Sequence, residues 1–255
     1  MSDGFLIFPD LTSALLVLLG FVAGGLAKGV FGLGMPFVGL PFMVVAIPFQ
    51  TAIALFLVPN FTANGQQMFG GGKFAVHLRR WAGLIVPMLA VIPFSVKILL
   101  TIDQDTAVLI LGLVSVVFAL LQIMPFAATI DPKHERWLNP IVGMTAGSLA
   151  GISGLYGPVV IIYLMALRVP KDEFVASMGL IYFMGSVALY GSLAAFSIIT
   201  RDVLIVSAVG AVIIGAMILL AERIRARIAE ARYRKLILIL LMIMGADMIR
   251  RGLVG

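Results

Sequence analysis

The residues best equipped for chemistry in this chain lie in two glycine- and proline-rich interruptions of apolar sequence. The first reads Lys28-Gly-Val-Phe-Gly-Leu-Gly-Met-Pro36 and the second Gly151-Ile-Ser-Gly-Leu-Tyr-Gly-Pro158. Proline suits the start of a helix, where its missing N–H would have had no partner anyway. Each interruption therefore predicts a helix that restarts, with unpaired N–H groups and a positive dipole end at its tip. Glycines let a ligand approach that backbone closely. The expected chemistry is capture of a small oxyanion by N–H groups around Gly32, Gly34 and Met35, and around Gly154 and Gly157.

Side chains nearby add to this reading. Lys28 stands well inside an apolar segment, where a cation is costly and usually functional; snorkelling to an interface is its other reading. Ser153 and Tyr156 offer hydroxyl donors at the second tip, or cap its turn. Asn60, Asn64 and Gln67 follow i, i+4, i+7 spacing and share one helix face. At an offset of 122 residues Asn60 maps to Tyr182 and Asn64 to Ser186. Such matched polar groups would line a central cavity or tie helices together. The spacings Gly25-xxx-Gly29 and Gly143-xxx-Gly147-xxx-Gly151 have the small-residue form of close helix packing, which also accounts for Gly20 and Gly24.

Other chemistry is excluded or weak. The chain has no cysteine, so it has no thiolate ligand or nucleophile. Its two histidines, His77 and His134, fall in stretches that read as polar loops, leaving little for a metal centre, and no cofactor is expected. Gly151-Ile-Ser-Gly154 has the form of an intramembrane serine protease motif, but neither histidine reads as lying in a span to serve as base.

The elements that must position these residues follow from composition. Of 255 residues, 62% are hydrophobic and 12% charged. A soluble domain of this length would still expose about a quarter of its unfolded surface, too much for so apolar a chain. With a mean hydropathy of +1.14 it reads as an all-α, polytopic membrane protein whose partner is the lipid bilayer. Six segments fit single spans: Thr51–Phe69, Trp81–Leu100, Thr106–Met124, Phe174–Ile199, Val203–Ala221 and Leu236–Ile249. Two longer ones, Leu11–Ile47 and Asn139–Leu167, carry the interruptions and read as helix, break, helix. A hairpin arm of about 12 residues would reach the middle of the bilayer. The stretch Met1–Asp10 has no Lys or Arg, so the first apolar segment is expected to be structure and not a signal peptide.

The broken segments are copies. Gly29-Val-Phe-Gly-Leu33 matches Gly151-Ile-Ser-Gly-Leu155, and Pro36 and Pro48 match Pro158 and Pro170 at the same offset of 122. The predicted organisation is a first membrane repeat over 1–124, a polar inter-repeat loop over 125–138 and a second repeat over 139–255. The net charge of +6 then reads as topology and not as a nucleic-acid surface. Lys73, His77, Arg79 and Arg80 mark one cytoplasmic loop; Arg223, Arg225, Arg227, Arg232, Arg234 and Lys235 mark another. Both fall on one side only if each broken segment is a re-entrant hairpin, which makes the two four-segment repeats inverted. Arg250 and Arg251 then fall outside, against the trend, with Asp247 as their expected ion-pair partner. Lys97, near a span end, is expected to snorkel. Inverted repeats with broken helices are a common transporter architecture.

The motif Gly-Val-Phe-Gly-Leu-Gly-Met-Pro-Phe-Val-Gly-Leu-Pro41, its second copy and the set of hydrophobic segments resemble the sulfite exporter TauE/SafE family of bacterial membrane transporters. Gly32, Gly34 and Pro41, and Gly154, Gly157 and Pro158, match the family pattern. The chain departs from it at Met35, Pro36, Tyr156 and Tyr163. The resemblance implies export of sulfite or a small organosulfur anion across the bacterial inner membrane. Residue pattern alone supports only a transporter with an anion-friendly site; alternating access is the expected mechanism, a passive anion channel is its rival, and the pattern separates neither these two nor the oligomeric states. Because the chain lacks cysteine, single cysteines can be placed at will. Cysteines at positions 79 and 223 should both label from the cytoplasmic side only; labelling from opposite sides would replace the hairpins by single crossings.

Overall fold

A computed structural model describes residues 7–31, 34–69, 74–123, 129–225 and 230–254. Of the positions singled out above, Gly32, Lys73, Arg227 and parts of the N-terminal and inter-repeat stretches (1–6 and 125–128) lie outside the described residues. The described residues form α1 (Leu11–Phe31), α2 (Met35–Met43), α3 (Phe49–Ala54), α4 (Leu57–Phe69), α5 (Phe74–Leu99), α6 (Gln104–Ile123), α7 (Glu135–Ser153), α8 (Gly157–Ala166), α9 (Lys171–Ala195), α10 (Arg201–Arg225) and α11 (Glu230–Val254), with no strand among them. Among the described residues five helices are long and apolar enough to cross a membrane: most of α1, α5, α6, α9 and α10. Large apolar side chains such as Val86, Phe94 and Val212 stand exposed, each by more than half of its surface. Water would not tolerate so many, whereas acyl chains would. The protein is an all-α, multi-pass membrane protein.

The duplication is visible in the helix boundaries. α1 ends at Phe31 and α7 at Ser153; α2 begins at Met35 and α8 at Gly157; α3 begins at Phe49 and α9 at Lys171. All three pairs stand 122 apart. The prolines that precede α3 and α9 share one backbone conformation, φ −54° and ψ 141° at Pro48, φ −55° and ψ 146° at Pro170.

Two expectations about the spans are corrected. The arms of the broken segments are unequal and not about 12 residues each. α1 and α7 run 21 and 19 residues, whereas α2 and α8 run 9 and 10. The glycines within α1 and α7 do not end them, because they serve as contact points for neighbouring helices. The segment Thr51–Phe69 is also not one helix: it breaks at Leu55–Phe56 between α3 and α4. Pro59 is the cause, since its ring excludes the carbonyl four residues back and it has no N–H to give. Its counterpart at the 122 offset is Ile181, and α9 runs unbroken through that position. The Val58 N–H beside the break donates to the Ser207 hydroxyl at 2.9 Å.

The chain packs as two compact units, each drawing on both repeats. The first comprises Met1–Pro59, Ile102–Met124 and Ser197–Gly255. In it α1 lies against α10 and α2, and α6 against α11. α2 runs antiparallel to α1, with Gly20 opposite Gly39 and Gly24 opposite Met35; a Cβ on Gly24 would come within 2.7 Å of the Met35 carbonyl oxygen. Phe37 of α2 stacks on Phe118 of α6 at 4.3 Å between ring centres. Asp103 caps α6, accepting from the Thr106 N–H and hydroxyl at 2.8 Å each. Those bonds hold its carboxyl below the usual carboxylate range.

The second unit comprises Asn60–Thr101 and Pro125–Phe196. Its spine is α5 against α7. Gly143 meets Leu84, Gly147 meets Met88 and Gly151 meets Ser95, so the two helices run parallel with backbones in direct contact. α9 lies beside α4 in antiparallel sense, with Tyr190 opposite Asn60 and Gly179 opposite Met68. The end of α8 returns to the residues that precede α7: the Ile130 N–H donates to the Ala166 carbonyl at 2.9 Å, and the Arg168 guanidinium to the Thr129 hydroxyl at 3.1 Å. A Cβ on Gly147 would come within 2.7 Å of the Met88 carbonyl oxygen, a backbone atom that cannot yield alone. Gly147→Val is expected to cost about 1–3 kcal/mol by overpacking. It should lower the thermal midpoint in detergent; an unchanged midpoint would contradict the packing.

Candidate functional site

The tip between α7 and α8 is built from backbone outward. Gly154 ends α7 at φ 72°, in the left-handed region that glycine adopts without strain. Its N–H returns to the Ala150 carbonyl at 2.8 Å. Ser153 is fully buried, gives its hydroxyl proton to the Leu149 carbonyl at 2.7 Å and accepts from the Leu155 N–H at 3.3 Å. These bonds consume the helix end that lipid could not have satisfied. Tyr156 then caps α8, with Gly157 and Pro158 as its first two residues. Pro158 removes one N–H from that turn, leaving those of Gly157 and Val159 at the helix start.

Tyr156 reaches from this tip to α9. Its hydroxyl stands 3.0 Å from the Tyr182 carbonyl and 2.9 Å from the Ser186 hydroxyl, which itself donates to the Tyr182 carbonyl at 2.8 Å. The Tyr156 and Tyr182 rings meet edge to face at 4.7 Å. Three expected site residues thus form one buried cluster. Within it the Tyr182 hydroxyl is buried and has no hydrogen-bond partner among the described residues. Asn60, also buried, donates to the Tyr190 hydroxyl at 2.6 Å. Asn64, on the same face of α4, is 1% exposed and makes interactions of its own.

Tyr190 belongs to the cluster although the sequence reading did not single it out. The signal was present: Tyr182, Ser186 and Tyr190 stand at i, i+4, i+8 on α9 and must share a face. Accepting from Asn60 leaves the proton of Tyr190 itself uncommitted. The buried face thus carries two phenolic hydroxyls, those of Tyr182 and Tyr190, whose protons none of these hydrogen bonds takes up.

The first unit holds the other expected residues, and each is described within it. Gly34 precedes α2 at φ 86°, again left-handed, with Pro36 in the first turn. Met35 is 1% exposed, and its side chain belongs to the core. Lys28 lies in the last turn of α1 and is 5% exposed. It does not snorkel into water, and it has an interaction partner. Lys97, in the second unit, is exposed, and in the first unit Asp247 pairs with Arg250 and Arg251 at 2.8 and 2.7 Å.

His77 corrects another expectation. It is no loop residue but a buried position of α5, 5% exposed, with Nδ1 3.4 Å from the Ser177 hydroxyl. That hydroxyl also accepts from the Trp81 indole at 2.8 Å. The packing of α5 against α9, with Ser177 facing His77, holds it inward, a tertiary effect that no local polarity count registers. Ser153 is nonetheless no activated nucleophile, because its proton is held by a backbone carbonyl. No cluster of three or more metal-ligating side chains occurs among the described residues.

The model of the sulfite exporter TauE/SafE family matches residues 16–248. The chain belongs to this family. No curated protein and no solved structure matches it. Membership makes this TauE/SafE protein a membrane anion exporter and not an enzyme. The matched stretch covers both glycine- and proline-rich interruptions.

Proposed function

We propose that this TauE/SafE member exports sulfite or a small organosulfur anion from the bacterial cytoplasm across the inner membrane as a secondary transporter, by alternating access. The anion contacts assigned in the second unit are the N-terminal backbone of α8 with Gly154 and Gly157, supported by Ser153, and the cluster of Tyr156, Tyr182, Ser186, Asn60 and Asn64. In the first unit they are Lys28 and the start of α2 at Gly34 and Met35. One observation carries the reading. The Tyr182 hydroxyl is buried in an apolar unit with no hydrogen-bond partner among the described residues. An unsatisfied buried polar group costs about 1–3 kcal/mol, and an oxyanion would relieve that cost by accepting the proton. Donor groups that meet no carboxylate among the described residues favour an anion.

Re-entrant hairpins and inverted repeats belong to the same reading. Support comes from the antiparallel course of α1 and α2 and from the return of α8 to the residues before α7. The Arg80–Glu173 ion pair at 3.3 Å supports it further, because it joins the start of α5 to the start of α9. A broken segment that crossed once would carry those two starts to opposite sides.

Tyr182→Phe removes one hydroxyl and no packing volume. A hydrogen bond to a charged partner contributes about 1.5–3 kcal/mol, so sulfite affinity should fall roughly 10- to 100-fold. Lys28→Ala should weaken binding at least as much. Calorimetry on protein in detergent measures both, and unchanged affinity in both variants would remove these residues from the site. In proteoliposomes, flux should saturate and follow an imposed gradient; ohmic single-channel currents would make the protein a channel.

A further inference from the structure

The second unit carries another polar feature at the far end of α7 from the tip. There a cavity of about 410 Å³ opens between the starts of α5 and α7, lined by Arg80, Gly83, Lys133, Glu135, Arg136 and Asn139 among others. Its volume lies within the range of about 300–1,000 Å³ typical of small-molecule sites. Its charges are not equally available. The Arg80 guanidinium is forked onto Glu135 at 2.9 and 3.1 Å, reaches Glu173 at 3.3 Å and stands 4.7 Å over the Trp81 ring. It is a structural strut. Lys133 pairs with Asp131 at 2.9 Å, but both are well exposed, so the pair is weak and exchangeable. Arg136 is exposed and has no ion pair among the described residues. An accessible guanidinium at the mouth of a cavity, with a lysine beside it, suits a phosphate group.

The surroundings decide the source of that phosphate. Directly after Arg136 stands Trp137, 76% exposed, followed at i+4 and i+7 by Ile141 and Met144, 56% and 45% exposed. This is an apolar stripe running down the outer face of α7 from the cavity. Phe94, on α5, is likewise exposed, beside the Ser95 that meets α7. A basic cavity that leads into an apolar stripe matches a headgroup joined to an acyl chain. A tryptophan at the junction sits where aromatic side chains favour the membrane interface.

We infer that the cavity between the starts of α5 and α7 binds a phospholipid, with its phosphodiester on Arg136 and Lys133 and an acyl chain along Trp137, Ile141 and Met144. The site is separate from the anion contacts proposed above and does not rest on them. Native mass spectrometry of detergent-purified protein titrated with phosphatidylglycerol tests it, with soluble glycerophosphate as a second arm. Wild type should retain the lipid, and R136Q combined with K133Q should lose occupancy about tenfold. Trp137→Ala should weaken the lipid and not alter glycerophosphate. Equal lipid occupancy in wild type and the double variant would overturn the proposal. Glycerophosphate binding as tightly as the lipid would also overturn it, by making the cavity a site for soluble phosphates. Thermal midpoints of the variants without added lipid should match wild type, which separates lost binding from lost folding.

Discussion

Lipid offers no hydrogen bonds, so each helix interrupted inside the membrane must settle its own backbone. Much of the local architecture answers that constraint. The Gly154 N–H folds back to Ala150, the Ser153 hydroxyl takes the Leu155 N–H, and the Ser207 hydroxyl takes the Val58 N–H at the break made by Pro59. Pro36 and Pro158 lower the demand further by removing a donor from the first turn of α2 and α8. What remains is a small set of N–H groups at two helix starts, in a chain that otherwise spends its polar groups sparingly. The buried hydroxyls of Tyr156, Tyr182 and Tyr190 stand out against that economy.

Close packing makes the breaks tenable. Without a strong hydrophobic force between helices in lipid, association depends on contact, and small residues bring backbones together. The parallel α5–α7 pair shows this best, where three glycines of α7 meet α5 in successive turns. Those same glycines let α7 pass uninterrupted to Ser153, so the segment breaks only at the left-handed Gly154 and again before Pro158. Gly34 plays the matching part before α2. Rigid neighbours on either side then fix where the restarted helix points.

The breaks were legible in the sequence because glycine and proline act locally. Phe31 and Ser153, and Met35 and Gly157, stand 122 residues apart in structure as the motif does in sequence. The polar face of Asn60 and Asn64, and its counterpart at Tyr182 and Ser186, followed from helical spacing. Other features depend on partners far along the chain. The burial of His77 comes from Ser177 and α9, not from its own polar surroundings in sequence. Pro59 sits in an apolar run where composition reads as a plain span, and only the missing N–H reveals the break. α1 and α7 extend past the mouths of the interruptions because Gly29 and Gly151, which stand there, are contact points within the helices.

The two compact units impose an order on synthesis. Every residue of the second unit precedes Ser197, whereas the first unit draws on residues out to Gly255. α6 therefore emerges long before α11, the helix against which Gly112 and Gly245 set it. Since chains are made from the N-terminus, α1, α2 and α6 must wait in the bilayer, incompletely covered, while the second unit closes. Neither repeat alone supplies all the helices of either unit.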